Sequence, residues 1–255
     1  MHRIIQIDDA EFFVVDTDMS KNYSDVSKMF AFYSNIQIPS SPVILDVGAN
    51  IGIYSLSYAS LFKNSKIFSF EPVNTIYQDL NNNLNLNPIL KKRIQTFNFG
   101  FSDVCKNLTL SIPTQEQHKR FGKDINNGLF SIHGKGGEKV NGKFFTLDSY
   151  MLEKSSPDSV DFIKIDVEGH EFEVLKGGEY TINKFKPTII FEFNELTRKL
   201  SKNTNQDFLD FFHKYDYSLF GVQYGWKEKL VSLNNFSDVY QISDVVAIFD
   251  KKISH

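Results

Sequence analysis

The chain has 255 residues and a formal net charge of −3, with 28 Lys and Arg against 31 Asp and Glu. That length can bury a large core in one α/β domain, and basic residues scattered under a net negative charge exclude a nucleic-acid backbone as the principal partner. The single cysteine, Cys105, excludes an internal disulfide and a multi-cysteine metal site, which fits a reducing cytoplasm.

The start, MHRIIQIDDAEFFVVDTD, is interrupted by Asp8, Asp9 and Glu11 and lacks the apolar stretch of a signal peptide. No apolar run approaches the ~18 residues of a membrane span, so a soluble, cytoplasmic protein is expected. Residues 3–16 alternate as a hairpin or edge strands do, and 25–32 read as a short helix. Residues 1–40 are expected to form a leader packed on the core or over a pocket mouth, with 41–255 as one domain.

From Val43 the order is strand (43–47), helix (50–62), strand (66–71), helix (73–86) and strand (94–99), the punctuation of a parallel βαβαβ unit. Ile53, Leu56, Tyr58, Ala59, Leu61 and Phe62 give the first helix a broad apolar stripe. Two shorter strands, 104–112 and 143–147, flank an insertion at 113–142 rich in Gly, Asn, Lys and His; six glycines from Gly122 to Gly142 make it either a solvated loop or a substrate lid. Strands at 160–166 and 187–193 follow, then a helix at 205–215 whose Phe208, Leu209, Phe212 and Tyr215 belong to the core. YSLFGVQY and SDVVAIFD supply two last strands, about seven in all, with Tyr224 and Trp226 closing the last hairpin.

DVGANIG, residues 46–52, stands where the first strand passes into a helix. Gly48 permits a backbone conformation that a Cβ forbids, Gly52 permits close approach to a ligand, and Asn50 tolerates left-handed backbone. The turn reads G-x-N-x-G, which satisfies neither the dinucleotide fingerprint nor the phosphate loop. Glu71, at the tip of the second strand, could accept both hydroxyls of a ribose.

In an open α/β sheet the ligand lies beyond the carboxyl ends of the strands, and those ends carry Asp46, Glu71, Asp103, Asp166 with Glu168, and Glu192 with Asn194. Such a site repels phosphate and suits ribose hydroxyls, an ammonium and a permanent positive charge, the make-up of S-adenosylmethionine. Its carboxylate could sit on the backbone amides after Asn50. Each carboxylate taken singly could instead cap a helix. The second cluster, DVEGHE at 166–171, crowds Asp166, Glu168, His170 and Glu171 at one strand-to-helix corner. For methyl transfer to oxygen a base must take the hydroxyl proton: His170 has the best matched intrinsic pKa and Glu168 could serve if desolvated, while helix capping and a backbone-bonded histidine are the plain alternatives. Asp166, Glu192 and Asn194 could hold a hard divalent cation, though a hydrogen-bond network is favoured over a metal. Cys105 reads as a small buried hydrophobe, and His133 as a solvated loop histidine that could touch substrate.

DVGANIGIYSL, FEPVNTIYQDLNNNLNLN, GFSD, FTLDSY, IKIDVEGHEFEVLKGG and PTIIFEFNE resemble, in order and spacing, the FkbM family of S-adenosylmethionine-dependent methyltransferases. The resemblance runs from about Val43 to Glu195. It implies a Rossmann-like, doubly wound, seven-stranded, mostly parallel class I methyltransferase sheet, and methyl transfer to a hydroxyl of a sugar, glycan or natural-product-like acceptor, leaving S-adenosylhomocysteine. It also implies a cofactor loop of Asp46, Gly48, Asn50 and Gly52, ribose contact by Glu71, Ser102 and Asp103 beside the adenine, and Asp166 near the methionine part or the reacting centre. The acceptor and the oligomeric state stay open. The rival readings are a catalytically idle binding module of the same fold, which the DVEGHE corner argues against, and an NAD-dependent oxidoreductase, which Asn50 and the missing third glycine argue against.

Overall fold

Five apolar segments, each preceded by a helix or loop that returns the chain to the same edge, align in parallel and are covered by helices on both faces. In the computed structural model, which describes residues 1–23, 26–30, 33, 36–111, 130–133, 137–193, 203–223, 229–233 and 244–253, these are β3 (Val43–Val47), β4 (Lys66–Phe70), β5 (Ile94–Phe97), β9 (Phe162–Ile165) and β10 (Thr188–Glu192). Burial on two faces explains why VILDV and FIKI read as continuous rather than alternating apolar runs. The order across the sheet is β12-β11-β13-β10-β9-β3-β4-β5. β13 (Asp244–Phe249) runs antiparallel to both β10 and β11 (Tyr217–Gln223), so β11 recovers the direction of the parallel set. β12 (Lys229–Ser232) pairs antiparallel with β11 and adds an eighth, edge strand to the expected seven.

The chain builds outward from β3 to β4 and β5, then returns to place β9 on the other side of β3. The order reverses between β3 and β9, so the crevice of an open α/β sheet lies at their carboxyl ends. That puts the DVGANIG turn beside the DVEGHE corner.

A three-stranded sheet, β6 (Gly100–Phe101), β8 (Lys139–Phe145) and β7 (Lys106–Ser111), stands over this end, with β8 in the middle. Segment 130–133 joins it through a bridge between Ser111 and Ser131. Most of the Gly-rich insertion, together with Asn194, Tyr224 and Trp226, lies outside the described residues.

At the start of the chain, β1 (His2–Ile7) and β2 (Ala10–Val15) form an antiparallel hairpin, and Ser27–Phe30 is one helical turn. The outer edge of β2 is satisfied by side chains rather than by a strand. Helix α3 (Asn74–Asn85) and the residues after it present Asn83 and Asn87, whose amide oxygens accept from the N–H groups of Val15 (2.7 Å) and Phe13 (2.8 Å). The Asn83 amide also donates to the carbonyl of Ile51, 2.8 Å, inside the glycine turn. Asparagines that look like a polar run in NNNLNLN thus join the hairpin to the rest of the molecule.

Phe208, Leu209 and Phe212 of helix Asn205–Lys214 are buried as expected, on a helix opened by a capping box between Thr204 and Asp207. Cys105 is not buried. It precedes β7 on that strand's exposed half, where its sulfur accepts from the Thr146 N–H at 3.4 Å. No helix among the described residues is long and apolar enough to cross a membrane.

Candidate active site

Beyond the ends of β3 and β9 lies a cleft of about 1030 Å³, counting the part open to solvent. One wall is the glycine turn, in which Gly48 (φ +80°), Asn50 (φ +50°) and Gly52 (φ +88°) all take left-handed backbone. The turn is hooked to the neighbouring strand by the N–H groups of Gly48 and Ala49, which both donate to the carbonyl of Phe70. Its glycines are required for packing as well as for φ. A Cβ on Gly48 would lie 1.9 Å from the Asp166 carbonyl oxygen, and one on Gly52 would lie 2.4 Å from Leu80 Cδ1. The close approach at Gly52 is therefore to the α3 helix and not, as expected, to a ligand.

Asp46 does not face the cleft. It is fully buried under the turn, where Oδ2 accepts from Ser55 Oγ at 2.5 Å and so holds the start of helix α2 (Ile53–Leu61). Burial raises its pKa, against the pull of Lys164 and Ser55. Glu71 does line the cleft. Its Oε2 accepts from the Asn50 N–H (3.1 Å) and its Oε1 from the Val73 N–H (2.9 Å). Burial pushes its pKa up to about 7 in spite of these two donors.

The opposite wall is the end of β9. Asp166, Glu168 and Glu192 bring carboxylate oxygens within 4.8 Å of one another. Glu192 Oε2 is buried with no hydrogen-bond partner, and burial, then Glu168 and Asp166, push its pKa well above the usual range. The corner turns sharply because Glu168 (φ +53°) and Gly169 (φ +97°) both adopt left-handed backbone. Glu171 folds back to accept from the N–H groups of Val167 and Gly169, 3.1 Å each, making it the carboxylate that holds the corner.

Lys164 was not singled out by the sequence, yet it is the cation of this site. Its ammonium donates to Asp166 Oδ2 at 3.0 Å and lies 4.0 Å from the centre of the Tyr54 ring. Burial works against its charge, but Asp166 and Asp46 outweigh that and raise its pKa. The available signal was a lysine inside the apolar run VDFIKID: a charge in a strand buried on both faces needs a partner.

His170 is buried, with Nε2 2.9 Å from Ser102 Oγ and Nδ1 3.3 Å from His133 Nε2. Burial pulls its pKa down to about 4, although Glu173 acts in the other direction. Ser102 and Asp103 do not line the cleft. Ser102 is buried behind His170, and Asp103 is at the surface, paired with Lys176 at 3.3 Å. Met19 and Tyr23 of the leader line the cleft, as do Phe130 and Ile132.

The profile of the methyltransferase FkbM domain matches residues 46–219, more than half of the chain. The chain belongs to the FkbM methyltransferase family. Among curated relatives, methyltransferase sdnD of Sordaria araneosa is 32% identical over 165 residues, 57% of this chain and 63% of that protein. Methyltransferase 1 of Beauveria bassiana is 24% identical over 153 residues, 57% of this chain and 61% of its own length. The match thus spans less than two thirds of either relative. The crystal structure of methyltransferase FkbM from Methylobacillus flagellatus aligns with a TM-score of 0.54 at 16% identity, over 86% of this chain and 47% of that one, a likeness of fold. The strand order, with β13 reversed between β10 and β11, is that of a class I, Rossmann-like methyltransferase sheet, to which β12 is added at the edge.

The donor set fits S-adenosylmethionine. The cleft offers buried carboxylates and one lysine already paired, with no free cation among the described residues to receive a phosphate. Glu71 stands at the tip of β4 beside the turn, and at the β9 corner Asp166 and Glu168 line the cleft, where an ammonium or a sulfonium would meet carboxylate oxygens.

Proposed function

We propose that the protein transfers a methyl group from S-adenosylmethionine to a hydroxyl oxygen of a sugar, glycan or small natural-product-like acceptor. The observation that carries the reading is the pairing of a left-handed turn, lacking a phosphate-loop motif, and Glu71 on one side of the cleft with Asp166 and Glu168 on the other, backed by Glu192. The two curated relatives named as methyltransferases support methyl transfer.

Glu71 would hold the ribose hydroxyls with lone pairs left beyond its two backbone donors. Gly48 and Asn50 keep the turn clear for the methionine part, and Asp166, fixed by Lys164, faces the ammonium. When bound, the cofactor supplies an electrophilic methyl on sulfur. Glu168 takes the acceptor's hydroxyl proton; it lines the cleft, as does His170, whose two ring nitrogens face Ser102 and His133. Alignment of oxygen, methyl and sulfur is the larger contribution of the site.

Calorimetric titration with S-adenosylmethionine, S-adenosylhomocysteine and NAD tests the donor, with binding of the first two expected. Transfer of a labelled methyl group across a panel of hydroxyl acceptors tests the reaction. Binding without transfer to any acceptor would favour an idle binding module, and preference for NAD would overturn the cofactor.

A further inference from the structure

Behind the β9 corner, a second group of side chains converges away from the carboxylate cluster: His133, His170 and Glu173 present ligand atoms within 4.8 Å of one another. We propose that these three residues form a binding site for a borderline divalent cation of the zinc class, which clamps segment 130–133 to the helix Glu171–Gly177.

The spacing is that of a coordination shell. His170 Nδ1 lies 3.3 Å from His133 Nε2 and 3.5 Å from Glu173 Oε2. Ligand atoms on a tetrahedral ion with bonds of about 2.0–2.1 Å are separated by about 3.4 Å. Glu173 Oε2 is buried and accepts no hydrogen bond, with the His170 ring nitrogen 3.5 Å away. An orphaned carboxylate oxygen beside two imidazoles that share one 3.3 Å contact is a cluster that a cation replacing the shared proton resolves.

The surroundings hold each ligand as metal sites do. The other ring nitrogen of His170 faces Ser102 Oγ at 2.9 Å, which fixes the ring so that Nδ1 points at the cluster. The other oxygen of Glu173 accepts from the Asn203 amide at 2.8 Å. Two nitrogens and one carboxylate oxygen suit zinc, cobalt or nickel better than magnesium or calcium, which take oxygen shells. Three protein ligands leave a fourth position for water.

The consequence is mechanical. Phe130 and Ile132 line the cleft on a segment tied to the small sheet by the Ser111–Ser131 bridge. A cation on His133 fixes that wall to the corner carrying Glu168, whatever the cleft binds.

The test uses the full chain, purified without a polyhistidine tag, stripped of metal and titrated with Co²⁺. One saturating equivalent with the intense visible bands of a four-coordinate site is expected, displaced by Zn²⁺. His133→Ala and Glu173→Gln should each weaken Co²⁺ binding by about 10- to 100-fold or more, and Ser102→Ala by about tenfold. Circular dichroism and the melting temperature of each metal-free variant show that it is folded. Absence of saturable binding in the folded parent chain overturns the proposal. So does a weak six-coordinate spectrum unaffected by His133→Ala, which would place the cation on the oxygen-rich Asp166, Glu168 and Glu192 group; the parent spectrum decides even if a variant fails to fold.

Discussion

Gly48 and Asp166 touch through their backbones: the position of a Gly48 Cβ lies 1.9 Å from the Asp166 carbonyl oxygen. The two sequence motifs of this chain are therefore packed against each other with no room between them, and the Asp166 N–H donates to the Val47 carbonyl at 3.0 Å to seal the contact. Gly48→Ala must relieve both the clash and the left-handed φ. Together these should cost about 2–5 kcal/mol. Urea unfolding would show the loss, and calorimetry should show weaker binding of S-adenosylhomocysteine; parent-like stability would mean that the strands part more easily than this packing implies.

Glu71 should make cofactor binding depend on pH. Its pKa of about 7 means that the empty site holds the proton more tightly than the unfolded chain does, with its ordinary value of 4.5. In the absence of ligand this group therefore removes stability as pH rises through that interval, on the order of 3 kcal/mol in all, and Glu71→Gln should flatten the slope. Ribose hydroxyls donate to the ionised form, so affinity should run the other way and be about tenfold weaker at pH 6 than at pH 8. Equal affinity at both values would remove Glu71 from the ribose.

Lys164→Met keeps the length of the side chain over Tyr54 but leaves Asp46 and Asp166 without their cation. Removing one partner from a buried pair typically costs about 3–5 kcal/mol. The loss should be larger at pH 8 than at pH 5, because burial raises the Asp46 pKa and protonation of that group relieves it as pH falls. Denaturant curves at the two values measure it, and an equal loss at both would assign the effect to packing.

Much of the fold was legible in the sequence because its parallel strands are apolar on both faces and are separated by helices of clear periodicity. The strands β3, β4, β5, β9 and β10 lie within a residue or two of their expected limits. What escaped was decided by partners distant in the chain. Gly52 looks like a ligand glycine until Leu80 is placed against it, and Lys164 looks like an anomaly until Asp46 and Tyr54 surround it. Cys105 was misread because its neighbours suggested a buried strand, whereas the strand begins after it, on its exposed half. His133 and His170 are 37 residues apart, so no spacing rule connects them.

Asn83→Leu should detach two things at once, since one amide serves both the Val15 N–H and the Ile51 carbonyl. Leaving two buried groups unpaired costs about 2–6 kcal/mol. Hydrogen exchange at Val15 should accelerate along with exchange in the turn at 48–52. If only one of the two regions responds, the amide does not couple them.

That shared amide gives the cleft a property of inheritance. Met19 and Tyr23, on the leader, line the cleft beside the turn that, in the proposed function, would hold the donor, and Asn83 fastens the hairpin to that turn. A chimera carrying another relative's first two dozen residues would exchange more than an acceptor wall: without a matching pair of asparagines on α3 and beyond, the donor half of the cleft would lose its register too. In this protein, choice of acceptor and hold on the donor would be expected to drift together.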